Sequence, residues 1–75
     1  MNPYEHDVEK ATFVREYTEP NLFGLRSTYK LYTAPNAAVA KAFLKANGVS
    51  RPLLYLVVET PEGNWCRDKD GIYRE

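Results

Sequence analysis

Apolar and polar positions alternate along Thr12-Phe13-Val14-Arg15-Glu16-Tyr17-Thr18, a run rich in β-branched and aromatic residues. It predicts a first strand, halted at Glu19-Pro20-Asn21. Beyond a turn region over residues 20–24, Leu25, Ser27, Tyr29 and Leu31 alternate with Arg26, Thr28, Lys30 and Tyr32, which predicts a second strand in a hairpin with the first. The period then changes. Val39, Ala40, Phe43 and Leu44 form one helical stripe with Lys41 and Lys45 opposite; Pro35 suits the first turn, and Thr33 or Asn36 is placed to cap it. Gly48 stands where a left-handed residue would end the helix and bring Leu44 against Val49.

After Pro52, Leu53-Leu54-Tyr55-Leu56-Val57-Val58 is apolar at nearly every position, as in a central strand. Thr60-Pro61-Glu62-Gly63-Asn64 and Asp68-Lys69-Asp70-Gly71 both read as type I turns closed by a glycine bulge, so a three-stranded meander with a short last strand follows. The order β-β-α-β-β-β predicts the α+β class. One helix packs on one face of a mainly antiparallel sheet, in a single domain over residues 11–75 behind a flexible polar segment, residues 1–10.

The two turns also predict register. A bulged loop sets Thr60 opposite Asn64 and Asp68 opposite Ile72, hence Glu59 opposite Trp65, Val58 opposite Cys66 and Arg67 opposite Tyr73. The period of two then sorts Leu54, Leu56, Val58 and Cys66 onto the helix-covered face. Tyr55, Val57, Glu59, Trp65, Arg67 and Tyr73 share the open face, where their mixed apolar and polar character suits contact with water or a partner.

Composition sharpens this outline. Seventy-five residues suffice for one core and leave little room for a cleft between lobes. Six Tyr, three Phe and one Trp supply the contact area that so short a chain needs, and a single Cys66 admits no internal disulfide and points to a reducing, cytoplasmic compartment. Ten basic residues balance ten acidic ones, against binding held by phosphate contacts alone. The longest apolar run falls far below the roughly 20 residues that cross a bilayer, and no basic-then-apolar leader is evident, so neither membrane insertion nor secretion is expected.

Candidate chemistry is sparse. A nucleophilic thiol needs an exposed, electropositive site and a basic neighbour, whereas Cys66 is expected in the core and the one histidine, His6, lies in the polar leader. His6, Asp7 and Glu9 are three potential ligands on an expected tail, short of a fixed four-ligand metal site. Asp68-Lys69-Asp70-Gly71-Ile72 has the spacing of part of a calcium loop but reads as a turn, since Cys66 occupies the first ligand position. No metal, no cofactor and no catalytic set is expected.

Residues 51–75, RPLLYLVVETPEGNWCRDKDGIYRE, are similar to small uncharacterised proteins of cyanobacterial type, above all at Val58-Glu59-Thr60-Pro61-Glu62-Gly63-Asn64-Trp65, Arg67-Asp68 and Asp70-Gly71-Ile72-Tyr73. The resemblance extends weakly over Leu22-Phe23-Gly24, residues 40–44 and Arg51-Pro52, with Cys66 where a small residue such as Gly is expected. It implies a free-standing cytoplasmic protein of a photosynthetic host, and brings no activity or ligand with it. The sequence therefore leads to a noncatalytic protein-interaction or regulatory module, monomeric or homodimeric, that meets a protein partner through Tyr55, Glu59, Trp65, Arg67 and Tyr73. The alternative is a weak single-stranded nucleic-acid binder that uses Arg26, Lys30 and Tyr32 on one face of the second strand.

Overall fold

A computed structural model describes residues 10–75. Residues 1–9, with His6, Asp7 and Glu9, lie outside the described residues, and with them nearly all of the segment expected to be flexible. The elements are β1 (Thr12–Pro20), β2 (Arg26–Thr33), α1 (Ala37–Ala46), β3 (Leu54–Thr60), β4 (Gly63–Asp68) and β5 (Gly71–Arg74). They form one sheet in chain order, β1-β2-β3-β4-β5. Only β2 and β3 pair in parallel, because α1 carries the chain back between them; the other three pairs are antiparallel. The α+β class, the element order and, among the described residues, the one helix packed on one face of the sheet agree with the sequence pattern.

Local chemistry explains each boundary. Asn21 closes the β1–β2 hairpin by accepting the N–H groups of Phe23 and Leu25 on its side-chain oxygen, at 2.9 and 3.0 Å, while Gly24 supplies a φ of 78°. Asn36 caps α1 by accepting Val39 N–H at 2.9 Å, and the Glu62 carboxylate, arriving from the β3–β4 turn, accepts Ala37 N–H at 2.9 Å. At the other end the expected glycine cap is corrected. Gly48 is not left-handed, and Asn47, in extended conformation, donates both its backbone N–H and its side-chain amide to the Phe43 carbonyl. Leu53 adopts a left-handed φ of 62°, which lets its carbonyl accept Thr28 N–H at 2.8 Å and start the parallel pairing.

The core lies between α1 and the sheet. Val39, Ala40 and Leu44 from the predicted stripe meet Leu56 and Val58 of β3, with Ala34 and Val49 closing the ends. Leu44 and Val58 are wholly enclosed, and Phe43, Tyr32, Leu54, Trp65 and Ile72 pack around them.

Trp65 and Ile72 belong to that group because the meander register differs from expectation by one residue. Thr60 opposes Gly63 and Asp68 opposes Gly71, so Val58 opposes Trp65, Leu56 opposes Arg67 and Cys66 opposes Tyr73. Side chains close both turns. Thr60 Oγ1 accepts Glu62 N–H at 3.0 Å and donates to the Gly63 carbonyl at 2.6 Å, and Asp68 Oδ1 accepts the N–H groups of Asp70 and Gly71 at 2.8 and 3.2 Å. Each loop thereby spans two residues, with its glycine at a φ of 115° or 145° as the first paired residue of the next strand. A one-residue slip exchanges the faces of a strand, so Trp65 and Arg67 lie under the helix and Cys66 on the open side.

Candidate functional site

The sheet face opposite α1 is built on three tyrosines. The β1–β2 hairpin sets Tyr17 opposite Tyr29, and the parallel β2–β3 pair sets Tyr29 opposite Tyr55, so one ring from each strand falls in line across the sheet. The rings stack at centroid distances of 5.2 and 5.1 Å with interplanar angles of 16° and 20°. Stacking at about the strand spacing means that each ring stands on edge, its faces turned to its neighbours and its hydroxyl edge outward. The Arg15 guanidinium covers the outer ring face of the row at 4.8 Å from Tyr17.

The row continues as a shallow depression of about 370 Å³ lined by Tyr17, Tyr29, Tyr55 and Tyr73 together with Glu19 and Glu75. Val57 and Cys66 form its floor, as opposed residues of β3 and β4. Cys66 is buried and donates from Sγ to Glu75 Oε2 at 3.4 Å. Burial first, and then the hydrogen bond and the charge of Glu75, push its thiol up to about 12. Burial likewise pushes the Tyr73 phenol up to about 12 and raises that of Tyr17, with Glu19 adding to the latter. At neutral pH these groups are protonated. They offer hydrogen bonds and contact area, while the thiol lacks the anionic form that nucleophilic attack requires.

Of the residues read from the sequence, Tyr55 and Tyr73 meet on this face, and Glu59 lies on it, exposed, two positions beyond Val57. Trp65 and Arg67 do not. Lys41 of α1 lies over the Trp65 ring at 4.4 Å, and Arg67 Nη1 donates to the Leu44 carbonyl, so both hold the helix to the sheet. Tyr32 packs between Phe13 and Phe43, at 5.5 and 4.6 Å, and Lys30 is half-buried on the same side, which leaves Arg26 as the one exposed member of the basic-aromatic set. Sequence reasoning missed Tyr17 and Tyr29. Their signal was present in the hairpin, since residues symmetric about its turn oppose each other once the turn is centred on residue 23.

Among the described residues, no three His, Cys, Asp or Glu side chains are grouped to hold a metal ion. No helix there is long and apolar enough to cross a membrane. Comparisons with protein-family models, with curated proteins and with solved structures find no match.

Proposed function

We propose that the protein is a noncatalytic interaction module of the cytoplasm that meets a protein partner through the open sheet face, with Tyr17, Tyr29, Tyr55 and Tyr73 at its centre. The observation that carries this reading is the in-register stack of Tyr17, Tyr29 and Tyr55, left without a covering layer among the described residues. Tyrosine is favoured at interfaces because it brings a large amphipathic surface with few rotatable bonds, and stacking restricts those bonds further before a partner arrives. Arg15, Glu19 and Glu75 form a mixed polar rim around it. The lone buried Cys66 and the likeness of residues 51–75 to cyanobacterial-type proteins support the cytoplasmic placement.

A protein fits this face better than a nucleic-acid strand does. Base stacking needs free ring faces and phosphates need a basic surround, whereas these rings face one another and two carboxylates border them. The test is capture of a partner by the tagged full chain from source lysate, with and without nuclease, repeated with Tyr29→Ser and Tyr55→Ser. Recovery that survives nuclease and is lost in both folded variants supports the reading. Equal recovery by wild type and variants removes this face from consideration, and nuclease-sensitive recovery replaces the partner class.

A further inference from the structure

β1 ends the sheet, and its outer edge is unpaired over nine residues among the described ones. Backbone groups along a strand turn to alternate sides. Asn21 N–H donates to the Leu25 carbonyl at 2.7 Å, so Asn21, and with it Glu19 and Tyr17, turn their N–H and C=O toward β2. Thr28 N–H, which donates to Leu53 in the opposite direction, sets the same phase from β2. Glu16 and Thr18 therefore direct their backbone groups outward. Pro20, the next outward position, has no N–H.

Two copies related by a twofold axis through the sheet oppose residues of like face, so few registers are open to an antiparallel β1 pair. Glu16 against itself places like carboxylates side by side. Thr18 against itself sets Glu16 opposite Pro20, which offers no donor. Tyr17 against Tyr17 of a second copy meets neither obstacle. It lets Glu16 and Thr18 exchange N–H···O bonds on both sides of the axis, and on the open face it brings Arg15 opposite Glu19 of the second copy.

The same register gathers exposed apolar groups. Phe13 and Val14 are 54% and 49% exposed in β1, and the rigid Asn21 turn presents Leu22 and Phe23 at 99% and 87%. With Tyr17 on the axis, Pro20 opposes Val14 and Asn21 opposes Phe13 of the second copy, which sets the Leu22-Phe23 tip just beyond Phe13 and Val14 of that copy at each end. The bulge between Phe13 and Arg15 and the N–H-free Pro20 then mark the limits of the pairing. We propose that the protein is a homodimer in which the β1 edges of two copies pair antiparallel about Tyr17, joining the sheets; the Arg15 guanidinium turns from the outer face of Tyr17 to Glu19 of the second copy, and the tyrosine row continues from Tyr55, Tyr29 and Tyr17 of one copy into Tyr17, Tyr29 and Tyr55 of the other. This does not rest on the protein-binding reading of the open face.

Sedimentation velocity of the full chain across the micromolar range tests it. The wild type is expected at dimer mass. Arg15→Glu, which sets Glu against Glu19, should weaken association by at least about tenfold, and Arg15→Glu combined with Glu19→Arg should restore it, with the far-ultraviolet spectrum unchanged in both. Register is read separately by mild oxidation. Tyr17→Cys should give a disulfide-linked dimer well ahead of Thr18→Cys, since only residue 17 faces its own counterpart and the native Cys66 is buried. A wild type that stays monomeric throughout, a dimer indifferent to Arg15→Glu, or equal cross-linking from both positions overturns the proposal.

Discussion

Arg67 reaches from β4 to the Leu44 carbonyl, one of the acceptors that the last turn of α1 leaves without an intrahelical donor. The contact spans 23 residues of chain and joins a cation to the negative end of the helix. It exists because the meander register sends Arg67 to the helix side, opposite Leu56 and Ile72.

Replacing Arg67 with Met keeps the apolar stem and removes the donor. A hydrogen bond from a charged group is worth about 1.5–3 kcal/mol, so urea unfolding of Arg67→Met should shift to a lower midpoint by that amount of stability. A neutral result would contradict this placement, because an Arg67 on the open face would be surface-exposed and replaceable at little cost.

Cys66 makes stability depend on alkaline pH. Its folded thiol keeps its proton up to about 12 against an ordinary value of 9.0, so between these values the unfolded chain binds fewer protons and stability falls as pH rises. The contribution is complete below pH 9 and lost through pH 12, on the order of a few kcal/mol. In Cys66→Ala the decline should begin later, near pH 10, where the Tyr73 phenol, raised by burial even without the charge of Cys66, starts to act in the same direction. Unfolding midpoints measured from pH 8 to 11 separate the two onsets.

Gly63 and Gly71 occupy equivalent turn positions with φ values of 115° and 145°, where a side chain is strained by about 1–3 kcal/mol. Only Gly63 is also crowded. A Cβ there would stand 3.0 Å from Arg74 Nη2, which donates to the Glu62 carbonyl at 3.1 Å, and the same guanidinium lies 6.0 Å from the Trp65 ring. Thermal melts should show both alanine variants destabilised, Gly63→Ala the more, and Trp65 emission should change in Gly63→Ala alone.

Much of the fold was legible because it depends on near neighbours in the chain. The Val39, Ala40, Phe43 and Leu44 stripe, the Asn36 cap, the apolar β3 run and both C-terminal turns follow from periodicities and side-chain preferences acting over a few residues. Cys66 and Trp65 mark where this reasoning failed. Their assignment to faces depended on counting through two turns, and Thr60 and Asp68 shortened each by one residue through their own side-chain hydrogen bonds. A bulged loop and a two-residue loop share the same turn residues, so both registers were compatible with one string of letters.

What the sequence determined by itself is the set of elements, their order, and a helix with a single apolar stripe to bury, since these arise from local backbone preference and hydrophobic period. Tertiary structure alone decided that the hairpin's tyrosine pair is extended into a row across the sheet. Tyr17, Tyr29 and Tyr55 lie 12 and 26 positions apart and are brought into line by one hairpin and one parallel pairing across a helix. That alignment is a property of strand register, which packing and hydrogen bonding set jointly and no stretch of chain encodes alone.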